Sequence, residues 1–187
     1  AKQTIDWVNT RARSFIDNDL REIAVEDYAR YPHCAHPDGL AKVKENYEKY
    51  CGSGSITSAE CAGFASRVYG HLINPKVSGD ASAPSVLQVG LLPKDASCGH
   101  NVVILNTSLT GHDREISLDP LPANASNWVV VDGWRAGLGW PYDECVFPIT
   151  SEYVATWGSK MQIIKGWNPT IALDFKANIK KTGHKLW

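Results

Sequence analysis

Gly99-His-Asn-Val-Val-Ile-Leu105 and, after a long interval, Trp128-Val-Val-Val-Asp-Gly133 carry the architecture of this chain on their surface. Each is a short apolar run, rich in β-branched residues and bounded by residues that favour turns, which is the signature of a strand. Val86-Leu-Gln-Val-Gly-Leu-Leu92 and Met161 to Ile164 have the same character, so residues 86–165 read as a sheet region. Upstream the period changes. Ile5, Val8, Ala12, Phe15 and Ile16 recur at helical spacing, and Leu20, Ile23, Ala24 and Tyr28 do so again, with charges on the opposite faces. A break from Pro32 to Gly39 precedes a further helical pattern, Leu40, Val43, Tyr47 and Tyr50, which ends in Cys51-Gly-Ser-Gly-Ser55. Residues 1–55 are therefore expected to be a helical N-terminal part. Helices first and strands afterwards, without βαβ alternation, predict an α+β fold in which N-terminal helices pack on one side of a mainly antiparallel sheet. One domain over 1–187 is expected, with no internal repeat or low-complexity segment. Thr107 to Asn127, with Gly111, Pro120 and Pro122, reads as a long connection between neighbouring strands, outside the core. Connections of that length are uncommon unless they are functional.

The composition narrows the classes of function. The chain has 187 residues, 43% of them hydrophobic, enough for a sizeable core. Its 19 basic side chains nearly cancel 20 acidic ones, and neither kind forms a long run. That balance lacks the electrostatic footprint of a nucleic-acid binder or a polybasic membrane binder, so neither partner is expected. The apolar runs fall far short of the ~20 residues that cross a bilayer, so no transmembrane segment is expected. The start, Ala1-Lys-Gln-Thr-Ile-Asp6, has neither a methionine nor a leader pattern and is expected to be an excised boundary or a processed end.

Five cysteines, Cys34, Cys51, Cys61, Cys98 and Cys145, form an odd set without a Cys-x-x-Cys pair. This argues against a disulfide scaffold and a zinc ribbon, and it leaves at least one thiol free or paired between chains. His33-Cys-Ala-His36 contains zinc-ligand types but lies between Pro32 and Pro37 with no spaced partner pair. A plain loop, open to a Cys34 to Cys51 bridge, is the simpler account, and no metal site is expected.

The chemistry concentrates elsewhere. Thr57-Ser-Ala-Glu60 has the capping-box pattern, which starts a helix and places Cys61 in its first turn. Continuing this helix over 56–74 aligns Cys61, Phe64, Ala65, Val68 and Leu72 on one inward face, and Asn74-Pro75 ends it. Unpaired N–H groups and the helix dipole favour a thiolate there, which prepares a nucleophile. A cysteine at a helix start is by itself as well explained by packing. What adds to it is His100, opening one apolar strand, and Asp132, closing another. If those strands pair antiparallel, the start of one lies beside the end of the other, and an imidazole meets a carboxylate. The imidazole can then take the thiol proton while the carboxylate fixes its tautomer. Taken singly, His100 is equally a satisfied core histidine and Asp132 a turn former before Gly133. Cys98 is a reserve nucleophile without a helix dipole behind it, and His112-Asp113 reads as solvated loop. Asn106-Thr-Ser108 and Asn124-Ala-Ser126 are expected to be chance matches to a glycosylation sequon.

A cysteine at a helix start, a histidine before a strand and an aspartate ending the next strand, within Trp128-Val-Val-Val-Asp-Gly-Trp134, resemble papain-like enzymes of bacterial toxins and effectors. These include YopT-type effector proteases and the deamidase domains of Pasteurella multocida toxin and related Salmonella effectors. The resemblance covers about Thr57 to Trp134 and implies Cys61 as nucleophile, His100 as base and Asp132 as orienting carboxylate. Gly133 stands where the family often has proline after the aspartate. Glu60-Cys-Ala-Gly-Phe64 and Gly99-His-Asn-Val-Val-Ile104 are also similar to motifs of NlpC/P60 peptidoglycan hydrolases, another papain-like group. The expected activity is hydrolysis of a carboxamide, with deamidation of Gln or Asn in a host or target-cell protein ranked first. Cysteine protease, cell-wall hydrolase and inactive binding module follow as alternatives. The resemblance implies a secreted bacterial effector that acts inside a host or target cell and needs no cofactor. Trp134, Trp140 and Tyr142 either line a substrate groove or cover the sheet edge.

Overall fold

A computed structural model describes residues 1–23, 25, 41, 61–74, 77, 84–92, 98–110, 127–153, 160–164 and 185–186. The chain opens with helix α1 (Lys2–Ser14), which runs on through a π turn at Phe15–Asp19 and a 3-10 turn at Leu20–Glu22. Its buried face is Thr4, Val8, Ala12, Ile16 and Leu20, one residue in every four. Because an α-helix completes a turn in about 3.6 residues, such a stripe drifts around the rod. The wider π turn, in which Leu20 N–H donates to Phe15 C=O, takes up the drift and keeps Ile16 and Leu20 on the inner face. The two helical patterns read at the N-terminus thus join into one rod up to Glu22, and the second does not continue as helix at Ile23, which is extended.

Helix α2 (Cys61–Ile73) follows, and its inward face is the expected one: Cys61, Phe64, Ala65, Val68 and Leu72 are all buried, with Tyr69 beside them. The remaining elements are β1 (Pro84–Leu92), β2 (Cys98–Thr110), β3 (Val129–Val131), the short helices α3 (Gly133–Gly137) and α4 (Tyr142–Cys145), β4 (Val146–Pro148), β5 (Lys160–Ile164) and β6 (Lys185–Leu186). The sheet order is β4-β3-β2-β1-β5, with antiparallel neighbours throughout, while β6 lies parallel to the start of β2, Cys98 beside Lys185. The fold is α+β, as the order of patterns predicts.

Two expectations about the sheet need correction. The connection expected from Thr107 begins as strand, because β2 runs to Thr110 across a register shift opposite Pro84 and Ser85. Thr107 is tied down by α1: its N–H donates to Thr4 Oγ1 at 3.2 Å and the two hydroxyls lie 2.9 Å apart. Strand β4 was not expected. It is three residues long and ends in Pro148, which a sheet tolerates at an edge, and β4 is the edge strand. The capping box at 57–60, the glycine-serine loop, the His33 to His36 cluster, the Cys34 to Cys51 bridge, the helical pattern around Val43 to Tyr50 and His112-Asp113 lie outside the described residues. Asn106 of the first sequon is buried, with its Oδ1 accepting from Ser108 N–H at 2.9 Å, so that match is not a surface acceptor. Among the described residues, no helix is long and apolar enough to cross a membrane.

The strands read as unbroken apolar runs because both faces of the sheet are covered. Val86, Val103, Leu105, Val129 and Val131 join the core under α1, α2 and α3. Leu87, Val89, Leu91, Val102, Ile104 and Val130 form a second core with Trp128, Ile149 and Tyr153. Helices α3 and α2 approach closely at Gly137. A Cβ added at Gly137 would lie 2.5 Å from Phe64 Cζ and 2.8 Å from Cε1. Gly137→Ala is therefore expected to cost about 1–3 kcal/mol, read as a lower denaturation midpoint at unchanged slope, since an aromatic ring wedged between two helices cannot yield cheaply.

Candidate functional site

Strands β2 and β3 pair antiparallel, Val103 beside Val131 and Leu105 beside Val129, so the start of β2 does lie beside the end of β3. The consequence is a contact between two fully buried side chains: His100 Nε2 and Asp132 Oδ2 are 2.7 Å apart. An ionised carboxylate only accepts, so in this contact the imidazole carries a proton on Nε2 and donates it to Asp132 Oδ2. Alternation along β2 puts His100 on the side of Val102 and Ile104, and Asp132 keeps the parity of Val130.

Asp132 is held from several directions. It caps α3, with Oδ1 accepting from Arg135 N–H at 3.3 Å, as an aspartate at a helix start should. Its backbone N–H donates to Cys145 C=O at 2.8 Å, which fixes the turn. Oδ2 also accepts from the Tyr153 hydroxyl at 3.0 Å and lies 3.6 Å from Arg135 Nε. Burial alone would raise the Asp132 carboxyl. The charge and hydrogen bond of His100, the Arg135 guanidinium and the Tyr153 hydroxyl together outweigh it and hold the group below its ordinary 3.8. Burial, and then the neighbouring Asp132 charge, push the Tyr153 phenol well above its ordinary 10.0, so it stays a donor.

Neither Arg135 nor Tyr153 was expected from the sequence. For Arg135 there was a usable signal, because an aspartate three residues ahead of it matches an N-cap. Its guanidinium sits 4.5 Å from the Trp140 ring centroid, 5.3 Å from Phe147 and 5.4 Å from Tyr153, and donates to Glu144 C=O at 3.0 Å. For Tyr153 no local pattern points to Asp132; the contact exists only because the chain after β4 folds back across the second core.

Cys61 is the first described residue of α2, fully buried and in no disulfide. Its helix packs on β2 and on α3, the elements that carry His100 and follow Asp132. The thiol lies within electrostatic range of Tyr153, whose phenol a charge at Cys61 would raise further. Cys61 thus belongs to the helical layer, and the Asp132–Tyr153 pair to the opposite one. The paired residues of β2 and β3 stop at Val103 and Val131, just short of His100 and Asp132. Gly133 lets the start of α3 lie close against α2. A Cβ there would stand 2.9 Å from Val68 Cγ2 of α2 and 3.2 Å from Leu20 Cδ1, so the residue after the aspartate has no room for a proline ring.

Trp134 is buried, with its ring edge-on to His100 at 5.5 Å between centroids. Trp140 is half-buried beneath Arg135, and Tyr142 donates to Asn9 Oδ1 at 2.6 Å. All three pack against the protein itself. Cys145, also in no disulfide, has its Sγ 3.5 Å from Trp140 C=O, and burial pushes its thiol up to about 12. Among the described residues, no group of three or more His, Cys, Asp or Glu side chains is placed to hold a metal ion. Compared with protein-family models, curated protein sequences and solved structures, the chain matches none.

Proposed function

We propose that the chain is a papain-like thiol hydrolase acting on carboxamides, with Cys61 as nucleophile, His100 as general base and acid, and Asp132 as the carboxylate that orients it. The observation that carries this reading is the buried 2.7 Å contact between His100 Nε2 and Asp132 Oδ2, with the Cys61 helix packed on β2, the strand that carries His100. A carboxylate that commits Nε2 leaves Nδ1 basic, which is what a thiol at a helix N-terminus requires.

In the proposed reaction His100 Nδ1 takes the Cys61 proton and the thiolate adds to the amide carbon. The oxyanion is stabilised by backbone N–H groups at the start of α2. His100 then gives its proton to the departing nitrogen, leaving a thioester on Cys61. Water, deprotonated by the same imidazole, opens the thioester to a carboxylic acid and restores the thiol. Resemblance of the Cys61 and His100 segments to toxin deamidases favours a Gln or Asn side chain of a host protein as the amide, and a secreted effector as the setting. The chemistry needs no metal or organic cofactor.

The test is incubation of candidate host proteins with the chain. Ammonia release and the small mass gain of amide-to-acid conversion, at unchanged chain length, would support deamidation. Cleaved protein would move the assignment to a protease, and released cell-wall peptides to an NlpC/P60-type hydrolase. The full burial of Cys61, His100 and Asp132 favours a second reading, a module that keeps the polar cluster for packing alone. Peptide mapping after iodoacetamide treatment near neutral pH separates the two. Cys61 is expected to be alkylated and Cys145, with its thiol pushed up to about 12, to remain unmodified. An inert Cys61 in the native protein would support the module.

A further inference from the structure

Asp132 is gripped from both layers of the protein. His100 reaches it from β2, Arg135 from α3, and Tyr153 from the segment after β4. The Tyr153 ring is itself immobilised. Its backbone N–H donates to Thr150 Oγ1 at 3.1 Å, and Phe147 meets it edge-on at 5.1 Å. Ile149 N–H ties the segment to Trp128 C=O at 3.0 Å, just before β3. A phenol so fixed, buried, and spending its hydroxyl on Oδ2, the oxygen His100 uses, is more than filling.

We propose that Tyr153 is a positioning residue: its O–H holds the Asp132 carboxylate in the orientation that receives His100 Nε2–H, and it sets how strongly that carboxylate pulls on the imidazole. This rests on the triad reading, but the link from Tyr153 through Asp132 to His100 can be measured without any substrate. The groups that act on the Asp132 carboxylate are His100 on β2, Arg135 on α3 and Tyr153 after β4, and Tyr153 in turn feels Asp132, Arg135 and Cys61 on α2. Removing the Tyr153 hydroxyl concentrates the carboxylate charge on His100 and favours the imidazolium.

The experiment is an NMR pH titration of the His100 ring in the full chain, with and without Tyr153→Phe. The expected result is a midpoint raised by about one unit in the variant, the size of one lost charge-assisted hydrogen bond. Site-specific 3-fluorotyrosine at position 153, a stronger donor with nearly the same shape, should move the midpoint the other way and serves even where the phenylalanine variant fails to fold. A packing defect gives no such pair of opposite shifts. A His100 titration unchanged by the fluorinated residue would overturn the proposal. Retained turnover in Cys61→Ala would instead remove the triad reading and leave the Tyr153 link standing.

Discussion

In Cys61→Ala, turnover of a carboxamide is expected to fall by about 10,000-fold or more, the scale seen when a nucleophile that works as one unit with its base is removed. What remains is binding and the backbone donors at the start of α2. The fold should survive. Cys61 packs in the helical core beside Phe64 and Ala65, and shortening it by one sulfur leaves a small cavity costing about 1 kcal/mol. Ammonia release by wild type and variant, with thermal unfolding measured on the same samples, checks both halves. An active Cys61→Ala that lost its activity on further change of Cys98 would show that the wrong thiol had been assigned.

The second large effect is expected at Asp132. Asp132→Asn keeps the shape and the cap on α3, but its amide offers Oδ2's position as either an acceptor or a donor, and His100 loses the charge that fixes its tautomer. Turnover should drop by about 1,000- to 10,000-fold. Stability changes too, with a definite pH dependence. Because the folded protein holds Asp132 below its ordinary 3.8, the carboxylate contributes stability fully above that value and loses it as pH falls through the lower folded value. Denaturation midpoints of wild type and Asp132→Asn should therefore differ most near neutral pH and converge in acid. A gap that persisted at the acid end would mean that the loss comes from packing rather than from the charge.

Much of this was written locally. The inward face of α2 follows from Cys61, Phe64, Ala65, Val68 and Leu72 recurring at helical spacing, and those residues are buried. The strands at Val86, His100 and Trp128 follow from β-branched runs between turn formers, and their antiparallel pairing brought His100 to Asp132 as topology required. Each rests on interactions within a turn or between neighbouring strands, which a short window of residues encodes. Edge strand β4 escaped, because three residues ending in proline carry no periodicity. The π turn at Phe15–Asp19 escaped because it corrects a drift that matters only once the rod lies on a core. Gly133 and Gly137 could be read as turn residues, yet their role is to let α3 approach Val68 and Phe64, and that distance exists only between packed layers. The same holds for Tyr153 and Asp132, whose 3.0 Å contact joins a segment beyond the edge strand to the end of β3. Sequence alone named the polar groups at the strand ends, because backbone pairing is local and repetitive. The assembled core chose which phenol and guanidinium surround them, because that choice belongs to side chains meeting across layers.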